Sequence, residues 1–116
     1  MPIDYSKGKI YKIECNETGL VYIGSTCEET LARRMAGHTG HYRQYLKGKR
    51  KFITSFRILK NYNYDIVLIE NYPCNSKEEL FARERYHTNQ IDCINKVKIK
   101  VYKLNLERMN KKDNKV

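Results

Sequence analysis

The chain has 116 residues, and its 23 Lys and Arg against 13 Asp and Glu give a formal charge of +10. This length suits one domain that buries a single core without disulfides, so no second domain is expected. The positive excess predicts a polyanionic partner rather than a small-molecule substrate. Nucleic acid ranks ahead of an acidic membrane because no basic amphipathic helix dominates the sequence.

The four cysteines stand singly, without the paired spacing of a zinc site and without a secretory segment that would indicate disulfides. No signal peptide is visible, and no apolar run approaches the roughly 20 residues of a membrane helix. We therefore expect reduced thiols in a soluble intracellular protein, with no signal for a particular compartment. The cysteines are Cys15, Cys27, Cys74 and Cys93.

The first predicted element is a β-hairpin over residues 8–15 and 20–24, two runs rich in Ile, Val and Tyr around a turn over 16–19. Each strand presents a tyrosine, Tyr11 on the first and Tyr22 on the second. In a basic protein, two phenols on a rigid hairpin suit the binding of a phosphate and of the water that attacks it.

A helix over 27–37 is predicted to follow the hairpin. Thr26 and Glu29 have the spacing of a capping box, in which a hydroxyl and a carboxylate satisfy the first free backbone N–H groups. Gly37 and Gly40 are expected to end and punctuate this helix. We next expect a short helix over 42–46, a basic loop over 47–51, and a third helix over 52–60 with Phe52, Phe56 and Leu59 on one stripe.

The most apolar run, 65–70, predicts the third and central strand, with polar ends and a buried middle. Ser76 and Glu79 form a second capping box, which begins a long helix over 77–91. Beyond it, the alternation over 97–102 predicts a half-exposed strand with a basic face, and the polar end of the chain is expected to fray.

Two charged side chains, Arg34 and Glu84, lie on the stripes that the predicted helices turn toward the sheet. A buried unpaired charge is costly, so one interpretation is that the two pair with each other across the core. The other is that they join both tyrosines and His38 in a site for metal-assisted phosphodiester cleavage. The stripes are Leu31, Arg34, Met35 and His38, then Leu80, Phe81, Glu84, Thr88 and Ile91.

Five short motifs follow one another along the chain: Lys9-Ile10-Tyr11, Val21-Tyr22-Ile23-Gly24-Ser25-Thr26, Arg34 with His38, Ala82-Arg83-Glu84, and Ile94-Asn95-Lys96. In this order they resemble the GIY-YIG nucleases, over roughly residues 8–96. The resemblance implies an α+β fold in which helices flank a small three-stranded antiparallel sheet. It also implies an active site on the sheet face that these motifs share.

The resemblance further implies a divalent-metal-dependent endonuclease that hydrolyses DNA phosphodiester bonds by water attack. Arg34 would contact the scissile phosphate, Glu84 would hold one Mg²⁺ or Mn²⁺ ion, and Tyr11 or Tyr22 would help to activate the water. The compact form is similar to mobile-element and viral members, so a homing-type nuclease is expected. Two alternatives stay open: a basic nucleic-acid-binding protein without catalysis, and a structure-specific nuclease of the repair type.

Lys9 stands where the family has glycine. An exposed Lys9 is expected, and the alternative is a lysine that lowers the pKa of a tyrosine. His38 either polarises the phenol or positions the water, or it is a hydrogen-bonded residue near the helix end. His41 and His87 are expected on the surface. Structural support is expected from Gly24 and Asn95.

Two basic segments outside this cluster are predicted to contact DNA through phosphates, without reading its sequence. Residues 96–116 hold eight Lys and Arg against two Asp and Glu, so +6 of the charge lies there. A solvated basic surface is the alternative. The first segment is Lys47, Lys49, Arg50 and Lys51, and the second includes Lys98, Lys100 and Lys103.

We divide the chain into a nuclease domain over 1–95 and a basic C-terminal strand and tail over 96–116, which belongs to the same domain or starts a linker. No separate DNA-recognition module is visible, so we expect low sequence specificity unless a partner or dimerisation supplies it. One active site cuts one strand at a time, which predicts a nicking enzyme that is a monomer or a weak homodimer.

Overall fold

The computed structural model describes residues 2–95, which form an α+β fold of one three-stranded antiparallel sheet and three helices. This architecture confirms the fold that the sequence predicted. The predicted strand over 97–102 lies outside the described residues. In chain order the elements are a 3₁₀ turn (Tyr5–Lys7), β1 (Lys9–Cys15), β2 (Val21–Thr26), α1 (Leu31–Leu46), α2 (Phe56–Leu59), β3 (Tyr64–Asn71) and α3 (Lys77–Gln90).

The central strand of the sheet is β1, because the strand order is β2-β1-β3 and both neighbours pair antiparallel with it. The prediction that 65–70 forms the central strand is therefore wrong. The hairpin occupies one edge of β1, so β3 can only add to the other. Val67 and Leu68 in the middle of β3 are exposed, whereas Ile10, Tyr11 and Ile13 of β1 are fully buried.

Both faces of β1 are covered, and each carries its own apolar cluster. One face packs against α1 and α2, and its cluster includes Tyr11, Ile13, Ile58 and Leu59. The other packs against α3 through Ile10, Ile23, Leu80 and Cys93. Because side chains alternate along a strand, consecutive β1 residues serve the two layers, and Tyr11 faces α1.

Helix α1 begins at Leu31, four residues later than predicted, because Thr30 is its N-cap and accepts the Arg33 N–H at 3.1 Å. Thr26 and Glu29, the residues of the predicted capping box, bind other partners. Thr26 ends β2, and its hydroxyl accepts the Glu28 N–H at 3.1 Å in a local turn. Glu29 binds Lys7 at 2.6 Å. The spacing of Thr26 and Glu29 thus matched the motif without forming a cap.

Helix α1 also runs to Leu46, through the predicted short helix and through both glycines expected to end it. A glycine inside a helix costs only about 1 kcal/mol relative to alanine, and an apolar face that packs on the sheet offsets that cost. The chain turns away from the helix at Gly48, two residues after Leu46, and the φ of 74° there suits a residue without Cβ. The Gly48 N–H donates to the Tyr45 carbonyl and the Lys49 N–H to the Gln44 carbonyl, both at 2.9 Å.

The remaining two helices differ in how well the sequence predicted them. The helix expected over 52–60 is confined to α2, a single turn. Helix α3 begins where expected, because the Ser76 hydroxyl accepts the Glu79 N–H at 3.2 Å. No helix within residues 2–95 is both long and apolar enough to cross a membrane.

Candidate active site

A cavity of about 500 Å³ opens between the hairpin, α1 and α3. Most of the side chains that the sequence singled out meet there, including one from each strand of the hairpin and one from each long helix. The lining residues are Tyr11, Tyr22, Ser25, Arg34, Phe81, Glu84, Arg85, Thr88 and Asn95.

The hairpin register places Tyr11 against Gly24, and only glycine fits there. Tyr11 pairs with Gly24 across β1 and β2. A Cβ at position 24 would lie 2.4 Å from both Cζ and the hydroxyl of Tyr11. The glycine of the second motif therefore makes room for the tyrosine of the first, which matches its expected supporting role.

Tyr11 lies at the centre of a buried hydrogen-bond chain. Its hydroxyl accepts from Arg34 Nε at 3.1 Å and lies 2.7 Å from His38 Nε2. The other imidazole nitrogen, Nδ1, lies 3.2 Å from the Ser55 hydroxyl. Arg34 can only donate, so the phenol oxygen accepts from it, and the phenol can donate its own proton to His38 Nε2 in the imidazole tautomer that carries its proton on Nδ1, toward Ser55.

The imidazole of His38 is neutral at physiological pH. Burial and the positive charge of Arg34 lower its pKa to about 4, and its side chain is almost wholly inaccessible to solvent. A neutral imidazole can accept a proton, which an imidazolium cannot. Of the two roles predicted for His38, the contact with a cavity phenol is present, and so is the structural hydrogen bond.

Tyr22 has a different environment from Tyr11. Its ring lies edge-on to His38 at 5.8 Å, and its hydroxyl makes no hydrogen bond with any residue in 2–95. Burial raises the pKa of both tyrosines, while Arg34 partly opposes the rise. Tyr11 alone of the two has a proton acceptor behind it, an asymmetry that the sequence does not reveal.

Glu84 occupies the opposite wall of the cavity. Its Oε1 accepts the Ser25 hydroxyl at 2.6 Å, and burial raises its pKa. Within the described structure Arg34 bonds Tyr11 and Glu84 bonds Ser25, and the two charged groups form no ion pair with each other. The interpretation that they pair across the core is therefore wrong, and both charges face the cavity.

The cavity fits a hard divalent cation through Glu84. Mg²⁺ is commonly held by one or two carboxylates together with waters and substrate phosphate oxygens. Within residues 2–95 no group of three or more His, Cys, Asp or Glu side chains is placed to enclose a metal, so Glu84 would be the protein ligand. Burial raises the pKa of this carboxylate, and such a cation would stabilise its charged form.

Asn95 and Lys9 both hold backbone groups. The Asn95 amide accepts the Ile23 N–H at 3.0 Å and donates to the Ile23 carbonyl at 2.8 Å, so it ties the end of the described chain to β2. The Lys9 ammonium donates to the carbonyls of Lys7 and Glu28 at 2.8 and 2.7 Å. It therefore bridges the start of β1 to the segment before α1 and is only half exposed.

The other predicted residues lie away from the cavity. His41 is half-buried on α1, and His87 is partly buried and bonds Glu70 at 2.9 Å, so both keep some exposure at the surface. The basic loop after α1 is fully exposed. Its cations are Lys47, Lys49, Arg50 and Lys51, while Lys98, Lys100 and Lys103 lie outside the described residues.

Two serines contact the site and were missed. Ser25 bonds Glu84, and Ser55 bonds His38. Ser25 directly follows the glycine of the second motif, so its neighbourhood was visible in the sequence. Ser55 was not visible, because it precedes a one-turn helix and reaches the site only through the packing of α2 under α1.

Comparison with known proteins agrees with this geometry. The family profile described as the GIY-YIG catalytic domain matches residues 7–92. The matched range contains every strand and helix described above and every cavity residue except Asn95. Searches of curated proteins and of solved structures gave no match.

Proposed function

This chain belongs to the GIY-YIG nuclease superfamily, and we propose that it is a divalent-metal-dependent DNA endonuclease that cleaves phosphodiester bonds by water attack. One observation carries the proposal: a phenol held between Arg34 and a neutral imidazole lines the same cavity as the Glu84 carboxylate. The cavity thus presents a proton acceptor, a phosphate-binding cation and a metal ligand together. Family members generally use divalent metals.

Tyr11 is the proposed proton acceptor for the attacking water. A hydroxyl donates one hydrogen bond and accepts two, so the phenol oxygen can bind one water beside Arg34 and His38. As the water oxygen bonds to phosphorus, its proton passes to Tyr11, and the phenol proton passes to His38 Nε2. Ser55 accepts from Nδ1 and stabilises the imidazolium that forms. The phosphorus–oxygen bond to the leaving group breaks, and that oxygen takes a proton from solvent.

Arg34 is the proposed phosphate-binding residue. Its guanidinium is half-buried, and among residues 2–95 only its Nε is engaged, with Tyr11. The terminal nitrogens remain for the non-bridging oxygens, where negative charge grows in the transition state. Glu84 would hold the divalent cation, which supplies charge stabilisation at the phosphate when bound. Ser25 keeps that carboxylate turned toward the cavity.

The basic segments are proposed to bind the DNA backbone. The loop Lys47, Lys49, Arg50 and Lys51 is exposed, and Lys98, Lys100 and Lys103 extend the positive charge in sequence. Phosphate contacts carry no sequence information, so specificity is expected to be low. With one cavity of this kind within residues 2–95, a single copy is expected to nick one strand. Compactness and basic flanks support a nuclease of the mobile-element type.

Incubation of supercoiled plasmid with and without Mg²⁺ tests the proposal, with nicked circles as the expected product. Arg34→Ala and Glu84→Gln should each remove cleavage, while Arg33→Ala and Glu78→Gln control for loss of an exposed charge on the same helices. Tyr11→Phe should lower the rate by roughly a hundredfold or more, and Tyr22→Phe by less. Cleavage that survives unchanged in both Arg34→Ala and Glu84→Gln would disprove the site.

Two other outcomes would select an alternative function. Plasmid binding without cleavage, in a folded protein with Mg²⁺ present, favours the non-catalytic nucleic-acid-binding protein. Faster cleavage of forked or flapped DNA than of linear duplex favours the structure-specific nuclease over the mobile-element type.

A further inference from the structure

A segment without acidic residues runs from Thr30 to Tyr64, from the start of α1 to the start of β3. It carries nine cations, so its own charge is +9. Residues 96–116 add +6, and an acidic excess in the rest of the chain offsets most of that, which leaves the net charge of +10. Its first two cations, Arg33 and Arg34, lie beside the cavity, and the others lie toward or beyond the far end of α1. They are Arg43, Lys47, Lys49, Arg50, Lys51, Arg57 and Lys60.

None of these nine cations forms an ion pair with any residue in 2–95. The ion pairs within that range all lie elsewhere: Lys7 with Glu29, Lys12 with Glu14, and Glu70 with Arg83 and His87. Three of the six Lys and Arg residues elsewhere in 2–95 thus have a carboxylate partner, whereas none of these nine does. An unneutralised cluster attracts a polyanion at little desolvation cost.

Aromatic rings lie among these cations and touch one another. Tyr42 contacts Tyr45 and Tyr62 at centroid distances of 6.3 and 6.2 Å, and Tyr45 contacts Phe52 at 5.7 Å. Beneath them Phe56 is buried. We call these rings, with the exposed cations of 47–51, the basic aromatic surface.

The outer rings of this surface are exposed beyond what the core requires. Phe52 is 54% exposed and Tyr62 is 73% exposed. Tyr62 also has a φ of 56°, a conformation that Asn or Gly adopts more readily than tyrosine. An exposed aromatic residue in an unfavourable conformation is poorly explained by stability, and better by a ligand that binds the ring.

We propose that the basic aromatic surface binds an unpaired segment of the DNA substrate, with bases stacked on Phe52 and Tyr62 and phosphates on the neighbouring cations. Duplex bases are already stacked inside the helix, so phosphate contacts alone would need no exposed rings. The surface begins at Tyr42, about 12 Å along α1 from Arg34 and a few nucleotides from the cavity. As a statement about substrate, this rests on the proposed function, and it adds an unpaired segment beside the site of cleavage.

Fluorescence anisotropy in EDTA tests the proposal without cleavage. The probes are a labelled single-stranded oligodeoxynucleotide, a blunt duplex of the same sequence and the corresponding oligoribonucleotide. Phe52→Leu keeps an apolar contact with Tyr45 and Phe56, and Tyr62→Asn suits the local φ, so both should fold. Each should weaken single-strand binding roughly fivefold or more and leave duplex binding unchanged. Tyr86→Leu, which removes a 48%-exposed ring on α3, should change neither.

The outcomes separate this proposal from the nuclease proposal. Failure of plasmid cleavage would disprove the nuclease and leave the anisotropy result intact. Equal losses on single strand and duplex, or no loss, would overturn base stacking. Tighter binding of the oligoribonucleotide would overturn the assignment to DNA. Self-association that Phe52→Leu abolishes would show that a second copy of the chain occupies the surface instead.

Discussion

Two glutamates, Glu70 beside α3 and Glu84 on α3, have opposite environments. Glu70, at the end of β3, accepts hydrogen bonds from Arg83 at 2.6 and 2.9 Å and from His87 at 2.9 Å. These bonds lower its pKa to about 2. Glu84 accepts one hydrogen bond, from Ser25, and burial raises its pKa. The same residue type is therefore paired with cations beside one edge strand of the sheet, β3, and is left without an ion pair to any residue in 2–95 beside the other edge strand, β2.

The difference indicates which carboxylate is available to a ligand. Arg83 and Glu84 are adjacent on α3, and the rotation of about 100° per residue turns one toward β3 and the other toward the cavity. Glu70 is held as a structural anion, and Arg83 also stacks on Tyr86 at 4.4 Å. Glu84 keeps an unneutralised charge at a cost to stability, as a cation-binding group must before its ligand arrives.

The largest expected effect is a loss of cleavage that only one of these two glutamates should show when it is replaced. Glu84→Gln should lower plasmid cleavage by about a thousandfold or more, because charge stabilisation by the bound cation is worth several kcal/mol. Its free energy of unfolding at neutral pH should not fall, since the substitution removes a buried charge. Cleavage assays and urea titrations with the same preparation measure both quantities.

Glu70→Gln is the matched control, with the same chemical change in the paired carboxylate. We expect cleavage within a few-fold of the unchanged protein and a loss of about 1–2 kcal/mol in stability, because charge-assisted hydrogen bonds from Arg83 and His87 disappear. If Glu70→Gln is stable but does not cleave plasmid, Glu70 belongs to the active site, and the functional distinction between Glu70 and Glu84 is wrong.

A smaller effect is expected from Ser25, the hydroxyl that holds Glu84. Ser25→Ala should raise the Mg²⁺ concentration for half-maximal cleavage about tenfold, as losses of outer-shell partners commonly do. The rate at saturating Mg²⁺ should change little. Ser25→Thr keeps a hydroxyl and suits a strand, so it should restore the metal response. An unchanged Mg²⁺ dependence in Ser25→Ala would mean that the hydrogen bond does not position the carboxylate.

The two glutamates should also contribute to the pH dependence of stability with opposite signs. The folded-state pKa of Glu70 lies near 2 against an ordinary value of 4.5, so its contribution is present above 4.5 and lost as the pH falls toward 2. The folded-state pKa of Glu84 is raised, so its ionisation reduces stability as the pH rises through that value. Urea titrations across acidic pH should show a flatter loss on acidification in Glu70→Gln and the reverse change in Glu84→Gln.

The sequence could predict only part of this contrast between the glutamates. Helical periodicity placed Arg34, His38 and Glu84 on inward stripes, and the order of motifs predicted that they would meet. Periodicity could not say whether Arg34 and Glu84 would pair with each other, because that depends on Tyr11 and Ser25 competing for them. Nor could it choose between the tyrosines, since the choice depends on Ser55 and His38 across the core.

The sequence predicted the elements whose ends are set by local hydrogen bonds, and it failed for the elements whose ends are set by tertiary packing. Ser76 begins α3 through its own hydroxyl, a purely local signal. Thr26 has the same spacing to a glutamate but ends a strand, because its pairing with Lys9 determines its conformation. Gly40 looked like a helix end, yet it lies inside α1, whereas Gly48, just after the helix, has the positive φ that is common at helix ends.

The smallest expected effect concerns the arginine that neutralises Glu70. Arg83→Lys keeps the charge but loses the two parallel hydrogen bonds and the planar stacking on Tyr86, so we expect about 1 kcal/mol less stability and unchanged cleavage. Arg33→Lys, an exposed arginine without an ion pair in the described residues, should cost nothing measurable. If Arg83→Lys slows cleavage while stability is unchanged, the Glu70 cluster acts on the cavity through α3. The two carboxylates would then belong to one coupled network of side chains, and their opposite pKa shifts would both be properties of that network.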